Sequence, residues 1–236
     1  VEKVALFESM IKGETFAFFD VEDFELIIEY YLELDFKKKA KKALEIALEQ
    51  YPIDLALTLI KIEFLNSSQR FDESLKALNN LNKFHPNNID VVLGLGRLYS
   101  LMENKSHATK YLNHAHDLIL LDSSYNDHLQ DLSYEFIQIG KFDSAIKVLK
   151  QILSFKPNDE TVMMELGVAY HESGKFQESV NYFKEVIDGN PYSHIAWFNL
   201  ATIYNVNEDW KEAVFAYEMC LVINEKFTAA HYGKAN

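Results

Sequence analysis

Apolar residues along this chain fall into a two-stripe pattern that repeats. Phe24, Ile27, Ile28 and Tyr31 lie on one face of a helix, and Ala40, Leu44 and Ala47 mark one face of a second. The prolines set the period. Pro52, Pro86, Pro157 and Pro191 are separated by 34, 71 and 34 residues, a 34-residue repeat with a three-residue insertion in the long gap. In that register six full units run 21–54, 55–88, 89–125, 126–159, 160–193 and 194–227, followed by a partial unit 228–236. The eleventh position of a unit is large (Tyr31, Leu65, Tyr99, Phe136, Tyr170, Tyr204). The twentieth is small (Ala40, Ser74, Ala108, Ala145, Ser179, Ala213). The eighth is small in the later units (Gly96, Ser133, Gly167, Ala201). Small residues at these places predict two antiparallel helices in close approach, with the large residue filling the space beside them. Gly140 and Gly174 fall at the turn between the helices, where a left-handed residue ends the first. Proline at position 32 stops the second. No unit buries its apolar faces alone, whereas a stack of three or more does.

This pattern resembles the tetratricopeptide repeat family. The resemblance is clearest in Trp197-x2-Leu200-Ala201-x2-Tyr204 followed by Ala213, and in Leu166-Gly167-x2-Tyr170 followed by Ser179, Phe183 and Pro191. It covers residues 21–236. It implies an all-α fold, a right-handed α-solenoid superhelix of antiparallel helix pairs with six full units and a truncated seventh, and use as a protein-interaction scaffold. Two departures stand out. Lys61 occupies an apolar column, so it must snorkel or sit at an edge. Leu120 replaces proline in the third unit, so the second helix there is expected to run on to Asp122-Ser123-Ser124.

Residues 1–20 lie outside the repeat. Val4, Phe7, Met10 and Ile11 make a short apolar stripe, Gly13 breaks it, and Asp20 is placed to cap the first repeat helix. The segment reads as a cap over the open end of the first unit, with a partner-binding arm as the alternative. At the other end the chain stops midway through a helix, so the natural protein is expected to continue. That open end offers a surface for end-to-end self-stacking.

Composition narrows the function. Glycine and proline together number only twelve, which argues against a loop-rich or disordered chain. A formal charge of −13 makes non-specific nucleic-acid or anionic-membrane binding unfavourable. No run of eighteen apolar residues predicts membrane insertion. The single Cys220 excludes an internal disulfide and fits a cytoplasmic location. A periplasmic or secreted location stays open, because a leader could have been removed. His114 and His116 project to different sides of a helix and cannot share an ion; Gly94-Leu95-Gly96 lacks the third glycine of a phosphate loop; Cys220 falls in a core column. No catalytic constellation emerges, and the chain is read as a non-enzyme without metal or cofactor. The run Lys37–Lys42, broken only by Ala40, reads as a solvated face, with an acidic partner as the alternative.

Binding is then sought on the face of each first helix opposite its core stripe, which in the family lines the concave surface. That face presents Glu25 and Glu29, Arg97, Asp131 and Tyr134, then Met164, Glu165 and His171, then Phe198, Asn199, Thr202 and Asn205, with Tyr232 and Asn236 beyond. Some family members clamp acidic C-terminal tails with Lys and Asn at positions 5 and 9 of a unit. Glu25 and Glu29 stand there, so that clamp is absent. The expected ligand is a protein or peptide segment with basic and apolar side chains, and the competing reading is a solvated acidic face. The alternative function is an interaction or regulatory arm of a larger protein whose catalytic or DNA-binding domain lies outside these residues.

Overall fold

A computed structural model describes residues 2–235, so Asn236 lies outside the described residues. In chain order the helices are α1 (Glu2–Ile11), α2 (Val21–Glu33), α3 (Lys37–Gln50), α4 (Leu55–Ser67), α5 (Phe71–Phe84), α6 (Ile89–Leu101), α7 (Lys105–Leu121), α8 (Leu129–Gln138), α9 (Phe142–Phe155), α10 (Glu160–Glu172), α11 (Phe176–Gly189), α12 (His194–Val206), α13 (Trp210–Ile223) and α14 (Thr228–Ala235). A 3₁₀ turn, Ser123–His128, precedes α8. Among the described residues there is no strand. The chain divides into two compact units between Met102 and Glu103.

Local chemistry fixes where the helices start and stop. Asp20, Asp54, Asn88 and Asp159 precede α2, α4, α6 and α10. Their side chains accept from the backbone N–H three residues on, at 2.8, 2.9, 3.0 and 3.2 Å. The hairpin turns repeat one closure. In the first, Asp35 N–H donates to Leu32 O at 3.0 Å and Phe36 N–H to Tyr31 O at 2.7 Å. In later turns Arg70, Lys141, Lys175 and Asp209 donate to Leu65, Phe136, Tyr170 and Tyr204 at 2.8–2.9 Å. In these five turns the large eleventh residue of the unit therefore also supplies the carbonyl that ends its own helix.

The turn residue has positive φ in each case: +73° at Gly140 and +77° at Gly174, but also 56° at Asp35, 57° at Gln69 and 63° at Glu208. The sequence pattern identified only the glycines. A side-chain-bearing residue in this region costs about 1–2 kcal/mol, partly offset by the unfolded-state entropy that glycine adds. Gln69→Gly and Glu208→Gly should therefore each raise stability by about 0.5–1 kcal/mol, read as the midpoint shift in urea unfolding.

In the unit that ends at Met102, the core begins with α1. Phe7, Phe19 and Phe24 are fully buried and meet edge to face or tilted, with ring centroids 5.7–6.1 Å apart. Ile27, Tyr31, Ala40, Ala43, Leu44, Ala47 and Leu57 continue the core across α2, α3 and α4. Lys61 is exposed, which relieves the burial of its charge. In the unit that starts at Glu103, α8 pairs with α9, α10 with α11 and α12 with α13, and α14 packs on α13. Met163, Val180, Phe183, Val186, Leu200 and Ile203 form one core cluster there. Cys220 is a buried free thiol whose pKa burial pushes up, so it stays a neutral core residue. The long joint is irregular. α7 has 17 residues against 14 in α9, Asp122 then caps Ser124 at 2.9 Å, and α-helix resumes only at Leu129.

Candidate functional site

In the first unit the candidate face lies on α2. Glu25 is half-buried; Glu22, Glu29 and Glu33 are exposed. Burial raises the Glu25 pKa, and the neighbouring Asp54, Glu22 and Glu29 carboxylates raise it further. Among the described residues neither Glu25 nor Glu29 has an ion-pair partner. Glu29 and Glu33 also rim a hollow of about 340 Å³ floored by Val4, Leu26, Ile27 and Tyr30. Lys3 borders the same hollow, but its ammonium is held by Asp23 at 2.7 Å. The result is an apolar depression with carboxylates on its edge, built jointly by α1 and α2. Arg97 is exposed on α6.

In the second unit the face is carried by α8, α10, α12 and α14. Asp131 and Tyr134 are exposed on α8, and Tyr134 retains 58% of its surface. Glu165 on α10 is half-buried and accepts both its oxygens' bonds from the Gln130 amide of α8, each at 2.7 Å. Burial raises its pKa, and the Gln130 bond acts in the opposite direction. Met164 is half-buried against the core cluster. The His171 ring lies 5.5 Å from that of Phe176, the first residue of α11, and its Nδ1 is buried without a hydrogen-bond partner. Phe198 is half-buried between Tyr217 and Phe227, at 6.0 and 5.1 Å. The Thr202 hydroxyl donates to Phe198 O at 3.0 Å. Asn199 and Asn205 are half-buried with side-chain amides that make no bond within the described chain, and Tyr232 is exposed. Of these residues, Tyr134, Tyr232, Asn199 and Asn205 offer groups to a ligand, whereas Phe198 and His171 lean toward neighbouring helices or turns.

Two further hollows were not legible in the helix periodicity. One, of about 490 Å³, lies among α11, α12 and α13, where Trp197, Tyr204 and Phe215 meet Lys184 and Lys211. The other lies beside α1 and the lysine run. Among the described residues, no group of three or more His, Cys, Asp or Glu is placed to hold a metal ion, and no helix is long and apolar enough to cross a membrane.

Comparison with known proteins agrees with this geometry. The tetratricopeptide repeat family model matches residues 131–194 and 165–219. The crystal structure of YrrB, a TPR protein with an unusual peptide-binding site, superposes with a TM-score of 0.61 at 17% identity, covering 82% of this chain and 98% of that one. A tetratricopeptide repeat protein from Parabacteroides merdae superposes at 0.59 and 13% identity, covering 91% and 97%. MamA superposes at 0.55 and 20% identity, covering 71% and 96%. No curated protein sequence matches the chain. Residues 131–219 thus match the tetratricopeptide repeat family model, and the helical-repeat fold of these structures is shared over more of the chain.

Proposed function

We propose that this chain is a non-catalytic scaffold whose first-helix face takes a protein segment carrying basic and apolar side chains. The observation that carries the reading is the acid-rimmed hollow on α1 and α2. Its floor is apolar, its edge holds Glu29 and Glu33, and the neighbouring Glu25 is crowded by other carboxylates with no cation to answer it. A lysine or arginine entering there would relieve like-charge repulsion while an adjacent apolar side chain fills the floor. The unpaired Asn199 and Asn205 amides on α12 suit the backbone of an extended ligand, which carries no sequence preference. The peptide-binding description of YrrB is in keeping with this use of the fold.

A labelled peptide of alternating Lys and Leu, titrated by fluorescence anisotropy, tests the proposal. Changing Glu25 and Glu29 together to Lys should weaken binding by about tenfold or more and flatten its dependence on salt. Unaltered affinity and salt dependence in that variant would exclude α2 as the binding face.

A further inference from the structure

The lysine run does not stand on a polar surface. Lys38, Lys39 and Lys42 of α3, with Lys12 just beyond α1, surround a pit of about 320 Å³ whose apolar walls are Phe7, Ile11 and Tyr31. One carboxylate, Glu8, sits among them. It accepts from Lys39 Nζ at 2.6 Å and from the Tyr31 hydroxyl at 3.2 Å. Those two bonds, with the Lys39 charge, lower the Glu8 pKa, and burial with Glu8 beside it pushes the Tyr31 phenol up to about 12. Glu8 is therefore a fixed anion and Tyr31 a fixed donor, and together they account for Lys39 alone. Lys12, Lys38 and Lys42 have no ion-pair partner within the described chain. Ile11 keeps 47% of its surface exposed at the mouth.

This arrangement works against the fold that carries it. The amino end of a helix is its positive pole and favours acidic residues. The first turns of α5, α9, α11 and α13 obey this with Asp72 and Glu73, Asp143, Glu178 and Glu212. α3 instead opens on Lys37, Lys38 and Lys39; like those four helices it has no side-chain cap, and α7 is the other second helix with no acid in its first turn. A chain of net charge −13 thus concentrates cations where its own backbone dipole repels them, around an apolar hole. The pit is at the small end of ligand cavities, with room for one anchoring side chain and none for a large cofactor.

We infer that this pit is a second docking site, of opposite sign to the first-helix face, for an acidic protein segment: carboxylates on either side of one aromatic or branched aliphatic anchor. The anchor enters between Phe7, Ile11 and Tyr31, and the flanking carboxylates meet Lys12, Lys38 and Lys42. The site does not depend on the basic-segment reading of the first-helix face.

The test uses the full chain and three labelled dodecapeptides: alternating Asp and Glu around a central Phe, the same peptide with Ala for Phe, and the same with Lys for every acid. Anisotropy should show binding of the first and binding weaker by about tenfold for the second through loss of the anchor; the third, which can engage only the acidic first-helix face, should not be displaced by the first. Lys38→Glu with Lys42→Glu, both exposed and so retaining the helical circular dichroism, should weaken the first peptide by about tenfold or more, whereas Lys38→Arg with Lys42→Arg should retain it. Equal affinity for the Phe and Ala peptides overturns the anchored site. So does unchanged affinity in the Lys-to-Glu pair. Sedimentation with phosphatidylglycerol vesicles that the acidic peptide fails to displace would assign the lysines to a lipid surface instead. A dimer in sedimentation velocity that the Lys-to-Glu pair dissolves, without peptide binding, would assign them to a second copy.

Discussion

Gly167→Leu is expected to cost at least about 3 kcal/mol of stability, because it adds a whole side chain to a contact that already excludes a methyl group. A Cβ at Gly167 would lie 2.6 Å from Cζ of Phe183, 2.7 Å from Cε1 and 3.0 Å from Cε2. The Phe183 ring cannot retreat: it is 1% exposed and held among Met163, Val180, Val186 and Leu200. Nor can the helices separate freely, since the Ser179 hydroxyl of α11 donates to Gly167 O at 2.5 Å. Moving α10 away would leave both groups buried and unpaired, a further cost of about 1–3 kcal/mol. Two controls isolate the mechanism. A Cβ at Gly94 would meet Leu78 Cδ2 at 3.1 Å, a shallower overlap with one methyl group, so Gly94→Ala should cost less than Gly167→Leu. Gly189 has nothing within 4 Å at the end of α11, so Gly189→Ala should be neutral or slightly stabilising. Repeat proteins need not unfold in one step. Amide exchange resolved by helix is therefore the decisive measurement, with protection lost first in α10 and α11. A Gly167→Leu protein as stable as the parent would mean that the helices do not approach as described.

How far the sequence foretold this structure follows from which signals are local. The column of small residues at the twentieth position was legible because close approach tolerates only short side chains, and Ala40, Ser74, Ala108, Ala145, Ser179 and Ala213 are all buried. The hairpin turns were half legible. Gly140 and Gly174 announce a left-handed residue, but Asp35, Gln69 and Glu208 adopt the same conformation with no glycine to signal it. The helix hydrogen bonds on either side over-determine the backbone there. The late start of α8 was not legible, since Asn126, Asp127 and His128 fit a helical register yet follow the Asp122 cap into a tighter turn. On the candidate face, periodicity places Cα atoms, whereas long side chains lean along and between helices. His171 and Phe198 thus share a face with Asn199 in the register, but pack against Phe176, Tyr217 and Phe227. The lysine run was visible as charge. Its apolar floor was not, because Phe7, Ile11 and Tyr31 reach it from two other helices.

Phe24→Ala should be the most damaging change in the first unit, at about 3–5 kcal/mol. Phe24 is fully buried and contacts Phe7, Phe19 and Tyr51 at ring centroid distances of 6.1, 5.7 and 6.4 Å. It joins the segment before the repeats to the end of α3, where the Tyr51 hydroxyl donates to Phe19 O at 3.0 Å. Removing the ring opens a cavity and forfeits three aromatic contacts, each worth about 0.5–1.5 kcal/mol beyond burial. Phe7→Ala provides the contrast. Phe7 is equally buried, but α1 is only ten residues long and its other buried side chain is Val4. A helix of that length is marginal by itself, so α1 should undock before the rest of the unit unfolds, and its docking energy limits the global cost. In amide exchange, Phe7→Ala should strip protection from α1 and spare α2 and α3, whereas Phe24→Ala should lower all three together. The two proposed docking hollows of this unit both borrow a wall from α1, so Phe7→Ala should also abolish binding of the basic and the acidic peptide at once. Neither charge-reversal pair can do that, because Glu29, with Glu25 beside it, and Lys38 with Lys42 face different hollows. If Phe7→Ala removed α1 protection and left both peptides bound, neither hollow could be a binding site as drawn.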